Sequence, residues 1–181
     1  MNRKEYRSYH GLTELNQSDF LSLLAAGEKD FSLCFIPSAG KLENLSLEGC
    51  LFDGSYVSEV TAINCEFSGA SFKGASIYGE FEGCQFNGSV FDEGLFECRF
   101  RECTLANCTC IRTKFKKGYI ISSIIDKLDL RNALFNDMWA AGCNIKEPCI
   151  GVPSYTQGGA TCDEVAWAKE RFFRELLLGA V

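Results

Sequence analysis

The run Cys65-Glu66-Phe67-Ser68-Gly69-Ala70-Ser71-Phe72-Lys73-Gly74 states one pattern twice, and Cys84-Gln85-Phe86-Asn87-Gly88 states it again. A small residue is followed two places later by a large apolar one, and the other positions are polar or glycine. Working outward in fives, the apolar column reads Leu47, Phe52, Val57, Ala62, Phe67, Phe72 and Ile77. It slips by one residue to Phe81, Phe86, Phe91 and Phe96. It slips once more to Phe100 and runs on through Leu105, Cys110, Phe115, Ile120, Ile125, Leu130, Phe135, Ala140, Ile145 and Ile150. Roughly 22 repeats at one period, from Leu42 to Val152, mark a solenoid. A five-residue period fits neither the 3.6 of a helix nor the 2 of a strand, but it supplies one short extended side plus a corner. Alternation along the extended side turns the apolar centre and the small residue two before it inward, and leaves the other three to solvent.

On these residues the chain resembles the pentapeptide-repeat family, whose motif is Ala-(Asp/Asn)-Leu-x-x with Cys or Ser often in place of the Ala and Phe in place of the Leu. The resemblance implies an all-β solenoid, a right-handed quadrilateral β-helix with four pentapeptides per coil. Every fourth centre then stacks on one face. Face one carries Leu47, Phe67, Phe86, Leu105, Ile125 and Ile145; face two Phe52, Phe72, Phe91, Cys110, Leu130 and Ile150. Face three carries Val57, Ile77, Phe96, Phe115 and Phe135; face four Ala62, Phe81, Phe100, Ile120 and Ala140. The repeats make about 5.5 coils, a rod roughly 26 Å long. Each slip is expected to tighten one corner.

The small inward positions hold most of the eleven cysteines. Cys50, Cys65, Cys84, Cys98, Cys103, Cys108 and Cys143 all fall there and read as packing residues, while Cys34, Cys149 and Cys162 lie outside the pattern. Zinc is not expected: Cys98, Cys103 and Cys108 fall on three different faces and no histidine stands near. The three prolines, Pro37, Pro148 and Pro153, sit at the ends of the repeat array, as a ladder that needs every N–H demands.

Outside the array the chain divides into 1–41, a polar arm with a short helix and a capping strand, and 153–181, a loop and a second helix. Ser18 or Asn16 caps a helix over Asp19–Ala26 that stops at Gly27. Phe31–Ile36 alternates into a strand that covers the first coil. Thr161-Cys162-Asp163-Glu164 is a capping box, and helix follows to about Leu178. Val165, Ala168, Phe172, Phe173 and Leu176 lie on an apolar arc too wide for one surface. One side is expected on the last coil. The other is open between a homodimer contact and a cap on a monomer.

Composition narrows function. The formal charge is −6 and the sequence pI about 4.9, which disfavours direct nucleic-acid binding. Met1–Gly11 is polar, with no signal peptide, and no apolar run is long enough to span a membrane, so a cytoplasmic protein is expected. His10 is the only histidine, and no phosphate-binding glycine loop occurs. No catalytic residue, cofactor or enzyme activity is expected.

The outward charge is polarised. From Leu42 to Cys98 ten acids face one base, Lys73; from Arg99 to Lys127 seven bases face two acids. The family resemblance gives this a meaning: its best-characterised members bind bacterial type II topoisomerases, DNA gyrase above all, as acidic rods that imitate DNA and shield the enzyme from quinolones or toxins. Glu59, Glu66, Glu80, Glu82, Asp92, Glu93 and Glu97 are then the partner-binding residues. The competing reading is a secreted effector or adaptor module that uses the β-helix as a scaffold. Tyr119, Ile121 and Trp139 are expected to point outward on face four, beneath the C-terminal segment.

Overall fold

The structure of the protein, a computed structural model, describes residues 8–9, 11–146, 149–151 and 154–156. They form a parallel β-solenoid of about seven turns. The register follows the centres named above. On face three Val57 pairs with Ile77, Ile77 with Phe96, Phe96 with Phe115 and Phe115 with Phe135. On face four Ala62 pairs with Phe81, Phe81 with Phe100, and Ile120 with both Phe100 and Ala140. Faces one and two are held by shorter bridges, Glu66 to Gln85 to Thr104 and Ser71 to Val90 to Thr109, each one residue before a centre. The phasing therefore holds across both slips.

The ladder runs further toward the N-terminus than the pentapeptide pattern does. Cys34–Ile36 pairs in parallel with Tyr56–Ile63, placing Ile36 beside Val57, and Gly40–Glu43 places Leu42 beside Ala62. Leu12–Glu14 adds one more rung beneath Cys34–Ile36. The expected cover strand is thus a coil of the solenoid itself. Cys34, two residues before Ile36, is a small inward residue after all and fully buried. Pattern reading stopped short because Pro37 interrupts the spacing there.

The helix Gln17–Ala25 takes the place of two sides of this lowest turn and closes its end with Phe20 and Leu23. Its N-cap is Asn16, whose side chain accepts from the Asp19 N–H at 2.9 Å; Ser18 is already inside the helix. Gly27, at φ +88°, ends it as expected. No helix among the described residues is long and apolar enough to cross a membrane. The C-terminal helix read from the sequence, with Cys162, lies outside the described residues.

At the other end one centre is wrong. Asp129 bridges Ile150, one residue later than the repeat requires, so Ile150 is 56% exposed and Cys149, opposite Leu128, is buried at the small inward position. A further one-residue shift after Ile145 produces this, and it brings Cys149 into the inward column as well.

The corners explain how five residues turn the chain. The residue two places after most centres has left-handed φ: Gly49, Gly54, Gly69, Gly74 and Gly88, then Glu93, Arg112, Lys117, Ser122 and Lys127. Between faces three and four this residue is Glu59, Lys117 or Asp137. The two slips delete it in two consecutive coils. The expected tightening does not occur; Ser76–Glu82 and Leu95–Arg101 instead run unbroken through the corner as seven-residue strands, paired rung by rung. Leu95–Arg101 alternates strictly, with Phe96, Cys98 and Phe100 buried and Arg99 and Arg101 exposed; in Ser76–Glu82 Ile77 and Phe81 are buried.

Inside, phenylalanine rings stack along the rod. Phe67 and Phe86 lie 4.9 Å apart and 3° from parallel, and Phe52, Phe72 and Phe91 continue a second column. The small inward position has a second task. Its hydroxyl or thiol donates to the carbonyl of the preceding centre one coil below: Ser89 to Phe67 at 2.7 Å, Thr113 to Phe91 at 2.8 Å, Cys103 to Phe81 at 3.3 Å. Burial pushes the Cys108 thiol up to about 12 and the Cys149 thiol up to about 11. Contact with Cys103, ahead of burial, takes Cys84 up to about 12. Such thiols stay protonated at neutral pH and are poor nucleophiles.

Ser55 occupies the same position but finds no partner for its buried hydroxyl. Ser55→Ala is therefore expected to be neutral or stabilising by up to about 1 kcal/mol, whereas Ser89→Ala loses a made hydrogen bond and costs about 1 kcal/mol. Urea midpoints of the two variants check this; equal losses at both sites would show that Ser55 is satisfied in solution.

Candidate interaction surface

Register fixes which side chains share the outside of each face. Face four carries two outward columns. One runs Lys41, Thr61, Glu80, Arg99, Tyr119, Trp139; the other runs Glu43, Ile63, Glu82, Arg101, Ile121, Ala141. Because the corner is absent at the two slipped coils, face three joins it there without a break. Ser76, Tyr78, Glu80 and Glu82 form one outward row, and Leu95, Glu97, Arg99 and Arg101 the next.

The acids selected from the sequence meet different fates on this frame. Glu80 pairs with Arg99 from the next coil, and Glu93 pairs with Arg112 in the same way. The basic belt thus neutralises part of the acidic half where the two meet. Both pairs are exposed, so each contributes little stability. Asp92 accepts from the Ile111 N–H at 2.8 Å and Glu66 from the Ser68 N–H at 2.9 Å, so these carboxylates also secure the backbone at corners. Glu59 sits at a left-handed corner and accepts from the Ser38 hydroxyl at 2.9 Å. Glu82 is exposed, in register with Arg101, and Glu97 stands beside Tyr78. The seven do not form one stripe: Glu66 lies on face one, Asp92 on face two with Glu93 at the corner that ends it, and the rest on the joined faces three and four.

Toward the C-terminal end face four turns aromatic. Tyr119 and Trp139 lie outward, as expected, with ring centroids 5.1 Å apart, and Trp139 is 42% exposed. Arg99 sits 5.9 Å over the Tyr119 ring. Hydrogen bonding to Tyr119 raises the Arg101 pKa and holds its guanidinium in the charged form. Val165, Ala168, Phe172, Phe173 and Leu176, with the cover expected over Trp139, lie outside the described residues. Sequence reading missed an outward aromatic ladder on face three, Phe35 to Tyr56 at 5.1 Å and Tyr56 to Tyr78 at 5.4 Å. The signal was present one residue before the centres Ile36 and Val57, but the lower coil had not been counted. Among the described residues no cluster of three His, Cys, Asp or Glu side chains is placed to hold a metal ion.

No protein-family model and no curated protein matches the sequence. Among solved structures, a trypsin-treated variant of QnrB1, a plasmid-mediated fluoroquinolone resistance protein, is similar at a TM-score of 0.51 and 16% identity, over 90% of this chain and 79% of that one. HetL from the cyanobacterium Nostoc sp. strain PCC 7120, a pentapeptide repeat protein involved in heterocyst differentiation regulation, gives 0.32 at 14% identity over 71% of this chain and 70% of its own. Rfr23, a pentapeptide repeat protein from the cyanobacterium Cyanothece 51142, gives 0.33 at 8% identity over 74% and 98%. With its five-residue period, four stacked faces and inward small-and-apolar pairs, the chain has the fold of the pentapeptide-repeat proteins.

Proposed function

We propose that the protein is a non-enzymatic interaction rod, acting in the cytoplasm, that offers its acidic half to a basic DNA-binding surface on a protein partner. The partner is a bacterial type II topoisomerase, DNA gyrase, which the rod engages as a DNA mimic and protects from quinolones or toxins. One observation carries this reading: outward carboxylates such as Glu82 and Glu97 are held in place by a stacked core that cannot shift register without turning phenylalanine outward. The similarity of fold to a fluoroquinolone resistance protein supports it. Glu59, Glu82 and Glu97 carry the most weight, because Glu80 and Glu93 are already paired within the rod.

The test is gyrase supercoiling, with and without a quinolone, alongside direct binding at several salt concentrations. The unaltered protein is expected to bind, and binding to weaken as salt rises. Glu59→Lys, Glu82→Lys and Glu97→Lys combined should weaken it by about tenfold or more with the fold intact, since the charges replace phosphate-like contacts. Neutralising Lys114, Lys116 and Lys117 should leave binding equal or tighter. No binding by the unaltered protein, or full binding by the triple reversal, overturns the proposal.

A further inference from the structure

The two outward columns of face four are charge-complementary to themselves when reversed. Counting coils from the boundary between the two slipped strands, the first rung on one side is Arg99 and Arg101, and on the other Glu80 and Glu82. The second rungs are Tyr119 with Ile121 and Thr61 with Ile63; the third are Trp139 with Ala141 and Lys41 with Glu43. We propose that face four is the interface of an antiparallel, two-fold symmetric dimer of this chain, with the axis crossing the rod between Ser76–Glu82 and Leu95–Arg101. The inference goes beyond the proposed function and does not depend on it; because Glu82 and Glu97 lie in this interface, the dimer and the gyrase-bound rod are alternative states of one face.

A two-fold axis lying along the strands reverses the coil order and keeps each column opposite itself. Arg99 then faces Glu80 of the second copy and Arg101 faces its Glu82. The Glu80–Arg99 pair within each rod becomes half of a four-charge ring. Ile121 meets Ile63 of the second copy, apolar on apolar, and Trp139 meets its Lys41, a cation over an indole. Further along the same rows, Glu97 meets the Tyr78 hydroxyl of the second copy. An axis along the rod would instead set Glu80 against Glu82 and Arg99 against Arg101, like charges at every central contact, so the parallel arrangement is disfavoured. The interface is isologous, as two-fold dimers require.

Its size is modest. Two strands of seven residues and four of three or four, at about 3.3 Å per residue and about 4.8 Å per coil, give roughly 450 Å² per copy. That is about 900 Å² in total, the size of a weak, reversible interface, so charge complementarity must supply the specificity. The half-buried Ile63 and the exposed Trp139 both acquire partners. The absence of a corner in the two central coils is what allows four outward residues per strand to meet rather than two.

The experiment is sedimentation equilibrium of the full chain and charge variants, with circular dichroism to confirm folding. The unaltered protein should be dimeric at micromolar concentration, and less so at high salt. Arg99→Glu with Arg101→Glu should weaken dimerisation at least tenfold, because four acids then face four. Adding Glu80→Arg and Glu82→Arg to the same chain should restore it. An equimolar mixture of the Arg99→Glu/Arg101→Glu variant with a Glu80→Arg/Glu82→Arg variant should form heterodimers while neither self-associates. A monomer at all concentrations overturns the proposal. So does a dimer indifferent to these changes, which would move association to another surface such as residues 161–178. The Arg99→Glu/Arg101→Glu monomer keeps Glu59, Glu82 and Glu97, so its gyrase binding reports on the proposed function separately.

Discussion

Replacing Phe86 with Ala is expected to cost about 3–5 kcal/mol, the range for deleting a buried phenylalanine. Phe86 is 1% exposed at the middle of the rod. Its ring stacks on Phe67 at 4.9 Å and meets Phe81, Phe100 and Phe91 between 5.5 and 5.7 Å, so one truncation removes contacts to three faces at once. A solenoid coil touches only its neighbours, and the void cannot be filled by distant rearrangement. Against a total stability of about 5–15 kcal/mol the variant should be largely unfolded on warming, or should unzip at its centre. Urea unfolding followed by far-ultraviolet dichroism measures the loss. Leu51→Ala, on the same rod but 40% exposed, serves as the control and should change little. A Phe86→Ala loss below about 1 kcal/mol would mean that the stacked column is not what holds the coils.

The stacking of Phe86 was legible in the sequence because an inward pair at a fixed period leaves few alternatives. The faces follow from the period together with the four repeats per coil that the family resemblance implies, and the Phe86 position survives both slips. Three things were not legible. Ile150 reads as one more apolar centre, and only the bridge from Asp129 reveals that the phase has moved. The lowest coil was hidden because the helix Gln17–Ala25 replaces two of its sides, so no five-residue spacing announces it. The pairing of Glu80 with Arg99 and of Glu93 with Arg112 depends on which residues stand one coil apart in the same outward column, a separation of 19 residues. Charge counting along the chain sees an acidic segment followed by a basic one. It does not see that the two touch, or that face four read from one end complements face four read from the other.

The slips also leave a mark that predicts a reversal of an ordinary rule. In a strand interior glycine is usually worse than alanine by roughly 0.5–1 kcal/mol, so Gly79→Ala and Gly118→Ala would ordinarily stabilise. Here both are expected to destabilise by about 3 kcal/mol. The column two before the face-four centres reads Val60, Gly79, Cys98, Gly118, Met138. Val60 follows a corner that contains the left-handed residue Glu59; Gly79 and Cys98 follow corners that lack it; Gly118 and Met138 follow Lys117 and Asp137, which restore it. Glycine thus stands only where the corner length changes from one coil to the next, and where the two backbones cannot keep their normal separation. A Cβ on Gly79 would lie 2.1 Å from the Val60 carbonyl oxygen, and one on Gly118 2.0 Å from that of Cys98. Cys98 itself stacks a shortened corner on a shortened corner and carries a side chain without conflict, its thiol donating to the Ile77 carbonyl at 3.3 Å. Cys98→Ala should therefore cost only about 1 kcal/mol, the net value of a hydrogen bond. The measurement is the difference between Gly118→Ala and Cys98→Ala, two changes to the same product at neighbouring rungs of one column. If Gly118→Ala is the more stable of the two, the mismatch of corner lengths stores no constraint. The unbroken strands Ser76–Glu82 and Leu95–Arg101 would then need another cause.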